Sequence, residues 1–279
     1  MAMTATKLNS LRNTRRYRVA IAATIVIAAV TALVRPSSAN AAEPVANSQT
    51  TAVGTANEPV TVSAVIELFT SQGCSSCPPA DRLLQSYAKR QDVMALSYPV
   101  DYWDYLGWKD TLASEKNSER QRGYAKTRGD GSVYTPQAVI NGVAHAVGSD
   151  RSEIEKQIAK TALKFAAKRV PIRFWRTSNM IIVETASAPA GLQVKEATIW
   201  LAPVREEVEV EIEHGENHGK SLKYCNVVHE LMPIGVWTGQ AMRIQLAARP
   251  FLRPGNTRYA VLMQEGTTGA ILGAAWMGW

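Results

Sequence analysis

The sequence predicts an α/β domain over residues 59–169, followed by a mainly antiparallel β-sandwich domain over residues 170–279. Two apolar strand patterns flank an amphipathic helix pattern between residues 61 and 100. A strand, an Asn-Gly turn and another helix pattern follow between residues 133 and 168. Beyond this point only strand-like stretches remain. The predicted order in the first domain is therefore β-α-β, then β-β-α, with a helical insertion between the halves.

The first β-α-β unit follows from residue types. Residues 61–70 are rich in branched and aromatic side chains, which is typical of a buried strand. Residues 78–90 repeat apolar side chains on one helical face, and the two prolines at their start fit a first helical turn. Residues 93–100 form a second strand pattern. A right-handed crossover makes the strands parallel, so loop 101–108 should emerge at the sheet edge that carries the helix start.

The second half of this domain begins after a polar stretch, residues 111–128, which is predicted to be a helical insertion. Residues 133–144 predict a strand, an Asn-Gly hairpin turn and the start of another strand. Residues 152–168 have apolar side chains at helical spacing. Eight strand-like stretches then follow: 172–175, 180–185, 198–202, 208–212, 221–231, 242–248, 259–264 and 271–276.

The first 41 residues have the composition of a secretory signal peptide. A basic start precedes an apolar run of 16 residues, Val19–Val34, and small residues lead to a cleavage site before Ala42. We therefore expect a periplasmic or secreted protein that leaves by the general secretory route. An uncleaved membrane anchor is the alternative, although spanning usually needs about 20 residues. Residues 42–58 are predicted to be a flexible linker.

The net charge of +7 does not indicate a nucleic-acid partner. Six of the 31 basic residues and none of the 24 acidic residues precede Ala42, which leaves 25 basic against 24 acidic residues. No basic patch is expected in the exported chain.

Cys74-Ser75-Ser76-Cys77 lies where the first strand ends and the first helix begins. A helix start favours negative charge and lowers a thiol pKa, so Cys74 is predicted to be the attacking thiolate and Cys77 the resolving thiol. A structural disulfide or a metal site are the alternatives for such a pair. Zinc normally needs four ligands, and no second close cysteine pair exists. We assign neither a metal nor a cofactor.

Thr135-Pro136 strengthens the redox interpretation, because a proline that starts the strand after the insertion would face the cysteines. Together, Cys74 to Pro78 and Thr135 to Gly142 resemble the thioredoxin superfamily. The resemblance implies a cis peptide before Pro136, which would shape the site, and a Thr135 backbone that docks an extended substrate. A trans proline at the start of an edge strand is the alternative.

A closer resemblance, to an exported bacterial family known only as domain of unknown function number 1223, covers nearly the whole chain after the leader. It is carried by four stretches: Phe69 to Asp81, Val100 to Asp104, Gly215-Glu216-Asn217 and Asn226-Val227-Val228. The resemblance implies a thioredoxin-like domain with a β-rich extension and without an assigned substrate. It therefore bears on the fold more than on the activity.

Two acids lie close to the cysteines in sequence. Glu67 is one hypothesis for a proton carrier to Cys77, against a strand glutamate satisfied by hydrogen bonds. Asp81 follows Cys77 by one helical turn and is expected to be a solvated helix-start acid, against the alternative of an acid that influences the pKa of Cys77. In the next loop, Tyr102 and Trp103 are either substrate-binding residues or a cover for the core.

The remaining candidate ligands are His214, His218, Cys225 and His229, which suggest copper or zinc without a compelling spacing. His214 and His218 flank a turn and need not face one another. Cys225 lies in a predicted strand, where a cysteine is typically a small buried apolar residue.

The leading hypothesis is an exported thiol–disulfide oxidoreductase whose Cys74–Cys77 pair exchanges with an unidentified disulfide or thiol protein partner, without a bound cofactor. Two alternatives stay open. The first is a copper-handling protein in which Cys74, Cys77 and a histidine hold Cu(I). The second is a non-enzymatic module with a permanent disulfide, whose β-rich half binds a partner.

Overall fold

The computed structural model describes residues 62–252 and 254–277. The predicted signal peptide and linker lie outside these described residues. Within them, no helix has both the length and the apolar run that crossing a membrane requires.

The first half of the described chain has the predicted order of elements. They are β1 (Ala64–Thr70), α1 (Pro78–Ala88), β2 (Val93–Pro99), a short 3₁₀ helix (Asp104–Leu106), α2 (Glu115–Arg128), β3 (Gln137–Ile140), β4 (Ala144–Val147) and α3 (Arg151–Lys168). Asn141 and Gly142 have φ of 50° and 73°, so the predicted Asn-Gly hairpin turn between β3 and β4 is confirmed.

The second half consists of strands, as predicted. They are β5 (Ile172–Arg176), β6 (Met180–Thr185), β7 (Ala197–Glu211), β8 (Ser221–Val228), β9 (Met232–Trp237), β10 (Met242–Ala247), β11 (Arg258–Glu265) and β12 (Ile271–Trp276). The two strands predicted at 198–202 and 208–212 are one strand, β7. Pro203 lies between the stretch of β7 that pairs with β9 and the stretch that pairs with β8, where a missing N–H is tolerated. The stretch predicted at 221–231 ends at Val228, and β9 was not predicted because Pro233 and Gly235 interrupt its pattern.

Most strands form one mixed sheet in the order β12-β11-β7-β8-β2-β1-β3-β4, with β9 also paired to β7. A small antiparallel sheet has the order β10-β6-β5. β1 and β2 are parallel, as predicted, and β3 is antiparallel to β1. The protein is therefore a mixed α/β structure with one large and one small sheet.

The large sheet continues across residue 170, where the sequence predicted a domain boundary and a separate antiparallel sandwich. β8 lies parallel to β2 and contacts it at the pair Ser97 and Val227. The Asn226 side chain adds a 2.9 Å hydrogen bond from Nδ2 to the carbonyl oxygen of Ala95. β8 thus covers an edge of β2 that would otherwise be unpaired, which explains why the strands of the second half extend the first sheet.

β1 is buried on both faces, which explains its nearly continuous apolar sequence. Ile66 and Leu68 join the cluster that includes side chains of α1 and α3. Val65 and Phe69 face the opposite cluster, which contains Tyr124 of α2. Glu67 shares this second face. The helical insertion therefore covers the large sheet on the side away from α1.

Candidate functional site

Cys74 and Cys77 lie at disulfide-bonding distance at the start of α1, with their Cα atoms 5.4 Å apart. Their position between a strand and a helix is the predicted one. Cys74 is 2% exposed and Cys77 is 0% exposed, whereas Ser75 and Ser76 between them are exposed. The disulfide is thus almost completely covered, and the serines form the accessible surface of the motif.

Few backbone amides are free to stabilise a thiolate here. Pro78 and Pro79 have no N–H, and the amides of Ala80 and Asp81 donate to the Cys77 carbonyl at 2.8 and 3.1 Å. The Cys77 amide donates to the Cys74 carbonyl at 3.2 Å. The Ser76 hydroxyl is within hydrogen-bonding distance, with its Oγ 3.4 Å from the Cys74 sulfur. A Cys74 thiolate would therefore depend on this hydroxyl and the helix dipole.

The peptide bond between Thr135 and Pro136 is cis, which confirms the predicted isomer. Pro136 and the first turn of α1 meet at Gly148. A Cβ placed on Gly148 would lie 3.0 Å from the Pro136 Cβ and 3.1 Å from the Ala80 Cβ. The Gly148 amide also donates to the Pro136 carbonyl at 2.9 Å. The proline thus lies beside the helix start that carries the cysteines.

Trp103 connects the loop of Pro136 to the loop of Cys74. Its Nε1 donates to Thr135 Oγ1 at 2.7 Å, and its Cβ lies 3.1 Å from the position of a Cβ on Gly73. Tyr102 donates its hydroxyl hydrogen to Gln121 Oε1 at 3.1 Å. Both aromatic rings are half-buried and pack against the core, so they form one wall of the site while part of each ring stays accessible.

A second wall is the β7–β8 turn, residues 212–220, whose role the sequence did not reveal. Asn217 is completely buried, and its Nδ2 donates to the carbonyl oxygens of Gln72 and Cys74 at 2.8 and 3.0 Å. Glu216 Oε2 accepts a hydrogen bond of 3.3 Å from the Ser75 amide. The resemblance of Gly215-Glu216-Asn217 to a known family was the one signal that could have pointed here.

An indole and two imidazoles lie beside this wall. Trp108 donates its Nε1 hydrogen to Gln72 Oε1 at 2.8 Å, and its Cβ lies 3.3 Å from the position of a Cβ on Gly215, where φ is +80°. The His214 ring centre is 6.2 Å from that of Trp108 and 6.4 Å from that of His218, with an angle of 13° between the imidazole planes. The sequence did not require these two histidines to face one another, and the turn stacks them.

The candidate metal ligands are not assembled. His214 and His218 precede β8 and His229 follows it, while Cys225 is 8% exposed within an apolar cluster. Burial raises the pKa of the Cys225 thiol to about 12, and the prediction of a small buried residue is confirmed. Among the residues that the structure describes, no group of three or more His, Cys, Asp or Glu side chains is placed to hold a metal ion.

Glu67 has partners at both carboxylate oxygens. Oε1 accepts from Arg120 Nε at 2.8 Å, and Oε2 accepts from the Tyr124 hydroxyl. All of these side chains are buried. The Arg120 guanidinium lies 4.9 Å from the Tyr124 ring centre, which adds a cation–π contact. This geometry favours the glutamate satisfied by hydrogen bonds over the proton carrier.

Asp81 is not the solvated acid that the sequence predicted. It is 5% exposed, and neither carboxylate oxygen has a hydrogen-bond partner. Burial raises its pKa from 3.8 to about 8, and the nearby Asp110 adds to the rise. The Thr70 hydroxyl, which lies near the carboxylate without forming a hydrogen bond of normal geometry, and the charge of Arg82 oppose the rise. The prediction from the sequence was wrong because β8 packs against α1. Tyr224 of β8 lies close enough to Asp81 for the carboxylate to contribute to the raised pKa of the Tyr224 phenol. Cys77 and Asp81 are four residues apart and share one helix face.

The fold and the site define a mixed α/β protein with a buried disulfide at a helix start, opposite a cis proline. The chain belongs to the family described as "protein of unknown function (DUF1223)", whose profile matches residues 65–264.

Two solved structures are similar. A protein of Agrobacterium tumefaciens is 34% identical, with a TM-score of 0.68 over 77% of this chain and 94% of that chain. HBP35 of Porphyromonas gingivalis is 12% identical, with a TM-score of 0.51 over 80% of this chain and 76% of that chain, and so bears on the fold alone. No curated protein matches.

Proposed function

We propose that this protein is a thioredoxin-like thiol–disulfide oxidoreductase that exchanges its Cys74–Cys77 pair with a disulfide or thiol of a protein partner. The observation that carries the proposal is the position of the pair at the start of α1, beside the cis peptide before Pro136. The sheet order β2-β1-β3-β4 supports the same interpretation, because parallel β1 and β2 followed by antiparallel β3 and β4 is the thioredoxin arrangement.

The exchange involves two electrons. A thiolate of the reduced partner attacks the Cys74 sulfur, a mixed disulfide forms, and the Cys77 sulfur leaves as a thiolate. The second thiolate of the partner then attacks the partner sulfur that is bonded to Cys74. This step forms the partner disulfide and releases the Cys74 thiolate. The partner becomes a disulfide and the Cys74–Cys77 pair becomes a dithiol. The reverse sequence oxidises the pair and reduces the partner.

Asp81 is suited to exchange the proton of Cys77. With a pKa of about 8 it is largely protonated at neutral pH, so it can donate a proton to the Cys77 thiolate as that sulfur leaves. In the reverse direction the carboxylate accepts the proton when Cys77 attacks. Glu67 is not suited to this step, because both of its oxygens are already engaged with α2.

A periplasmic or secreted location fits this activity, since disulfides persist in oxidising compartments. The proposal of export depends on the leader, which lies outside the described residues. The partner would reach the pair over the exposed Ser75 and Ser76, between the Trp103 wall and the β7–β8 turn.

Equilibration with glutathione or dithiothreitol buffers tests the proposal. We expect reversible two-electron reduction between about −270 and −120 mV, the range of known thiol–disulfide oxidoreductases. Cys74→Ser should abolish turnover of a model disulfide substrate, whereas Cys225→Ser, which alters a buried thiol outside the pair, should not. A reduction potential of the Cys74–Cys77 disulfide below about −300 mV would contradict the proposal.

Asp81→Asn tests the proton step. We expect reduction of the pair to slow by about 100-fold at neutral pH, because the carboxamide cannot supply the proton. In the wild type the rate should fall as Asp81 ionises around pH 8, and this fall should be missing in the variant. Glu119→Gln, on an exposed face of α2, is the matched control. Equal rates in Asp81→Asn and wild type would exclude Asp81 from the step.

A second function has one observation in its favour. Both cysteines are at most 2% exposed, which suits a permanent disulfide that stabilises the loop under Asn217. In that case the protein would be a binding module without redox turnover. The potential measurement distinguishes the two, since a structural bond in a secreted protein typically lies below about −300 mV.

A further inference from the structure

A groove of about 740 Å³ lies at the end of β3 opposite to Pro136. It is framed by α3, by the β3–β4 turn that contains Gly142, and by the β11–β12 hairpin at residues 265–271. This volume is within the range of about 300–1,000 Å³ that small-molecule sites occupy. None of the residues assigned to the redox site lines the groove.

The floor of the groove is mainly apolar, and its buried polar side chains, Asn141 and Thr161, are hydrogen-bonded to each other. Phe165 and Ile271 contribute side chains that are 5% and 1% exposed and belong to the core. Ala144 continues this surface toward the mouth, where Val143 is 45% exposed. An apolar ligand body that packs on this floor would therefore bury apolar surface, and the side chains it contacts are already fixed by packing in the core.

The rim of the groove is cationic. Lys160, Lys164 and Lys168 follow one another at four-residue spacing, so they lie on the face of α3 that borders the groove. None of the three forms an ion pair with a described residue, and all are exposed. Arg128 also lines the groove but is paired with Asp130. The one acidic side chain in the lining is Glu265.

Three lysines at four-residue spacing destabilise a helix slightly through like-charge repulsion. Lys156 on the same helix pairs with Glu153, as a lysine on a purely solvated face commonly does. The groove lysines have no such partner. Three lysines without ion-pair partners above a mainly apolar, concave floor are what a ligand with an anionic head and an apolar body would complement.

We propose that this groove binds a small anionic amphiphile, a carboxylate on an aliphatic or aromatic body. The apolar body lies on Phe165 and Ile271, and the carboxylate lies between the lysines of α3. The concavity favours such a ligand over a flat membrane surface. The apolar floor favours it over an acidic peptide, which would use the rim alone.

Calorimetric titration of the purified protein with butanoate, hexanoate and octanoate tests this site. We expect each buried methylene to tighten binding by about three- to fourfold. Octyltrimethylammonium, which has the same tail and the opposite charge, should bind at least about tenfold more weakly than octanoate. Raising the salt concentration from about 50 to 500 mM should weaken octanoate binding severalfold, because the lysines are exposed.

Two sets of variants separate the rim from the floor. Replacing Lys160, Lys164 and Lys168 together by Gln should weaken octanoate binding about tenfold, whereas replacing Lys156, Lys195 and Lys223 together by Gln, an equal loss of charge elsewhere, should not. Ala144→Phe should weaken octanoate more than butanoate, because it narrows the floor. Circular dichroism should confirm that each variant is folded.

Three results would overturn the proposal. The first is the absence of saturable octanoate binding up to about 10 mM, and the second is equal affinity for octanoate and octyltrimethylammonium. The third is tighter binding of an acidic hexapeptide than of octanoate, together with equal affinities for butanoate, hexanoate and octanoate. The last result would identify a peptide site instead. Because the groove and the disulfide lie at opposite ends of β3, Cys74→Ser should leave octanoate binding unchanged, so a failure of the redox proposal does not affect this test.

Discussion

The two buried carboxyl groups that lie close to the cysteines in sequence differ in what surrounds them. Glu67 on β1 is 0% exposed, with an arginine on one oxygen and a tyrosine on the other. Asp81 on α1 is 5% exposed, and neither of its oxygens has a hydrogen-bond partner. Burial alone therefore does not distinguish an acid that stabilises a fold from one that is free to exchange a proton. The number of hydrogen bonds to each carboxylate does.

The difference arises from the elements that pack on each side of the sheet. Glu67 faces α2, a helix that buries polar side chains such as Arg120 and Gln121. Asp81 faces the end of β1 and the strand β8, where Thr70 and Tyr224 have buried hydroxyls without partners. On the α2 side both oxygens of the Glu67 carboxylate accept hydrogen bonds, whereas on the α1 side both oxygens of the Asp81 carboxylate lack hydrogen-bond partners.

The largest effect is expected for Glu67→Ala. It leaves the Arg120 guanidinium buried and without its counter-charge, so the free energy of unfolding should fall by about 3–5 kcal/mol. Urea unfolding at neutral pH measures it. Glu184→Ala is the control, because Glu184 pairs with exposed Arg173 and Arg243 and its loss should cost about 0–1 kcal/mol. Equal losses in the two variants would remove the distinction between a buried network and a surface pair.

Asp81→Asn should change the pH dependence of stability. The pKa of Asp81 is raised from 3.8 to about 8, so between these values the folded state binds a proton that the unfolded state does not. The free energy of unfolding therefore falls as pH rises, by up to about 1.4 kcal/mol per pH unit from this group. Relative to wild type, the variant should gain about 2–3 kcal/mol between about pH 5 and 7. Parallel stability curves for the two proteins would show that Asp81 ionises normally.

Asn217→Ala removes two hydrogen bonds across the disulfide loop, to the carbonyls of Gln72 and Cys74. We expect a loss of about 1–2 kcal/mol in the free energy of unfolding, and faster hydrogen exchange of the loop amides. Asn179→Ala, at an exposed position, should stay within about 0.5 kcal/mol of wild type. If exchange in the loop were unchanged, the β7–β8 turn would not restrain the cysteines.

Glu216→Gln should have the smallest effect, because this carboxylate is exposed and a carboxamide oxygen can still accept from the Ser75 amide. Stability should change by less than about 0.5 kcal/mol. Removing the negative charge beside Cys74 should favour its thiolate and speed alkylation of the reduced protein about twofold. Glu213 is also exposed and lies in the same turn, and Glu213→Gln should leave the alkylation rate unchanged. A slower reaction would mean that Glu216 aids the thiolate rather than opposing it.

Sequence patterns predicted the elements around the disulfide well. The strand, the proline-started helix and the second strand occur within two or three residues of their predicted limits, and the parallel pairing follows from the right-handed crossover. The cis peptide before Pro136 was also predicted, from a resemblance. These features succeeded because periodicity, proline placement and turn residues act within short stretches of chain.

The same patterns did not predict what covers the site. Asn217 lies 143 residues from Cys74 along the chain, and nothing local to its turn indicates a contact with that loop. Asp81 was expected in solvent because a charged residue in a first helical turn usually is, but β8 covers this face of α1. The parallel pairing of β8 with β2 caused both errors, because it extends the first sheet into the second half.

The sequence by itself therefore determined the order of the elements, the place of Cys74 and Cys77 between strand and helix, and the proline loop beside them. Local sterics and periodic burial are enough to specify these. Only the tertiary structure decided which carboxyl is buried without a partner, which turn covers the disulfide and where a cationic groove forms. These features depend on contacts between residues far apart in sequence, and such contacts arise only when the whole sheet has assembled.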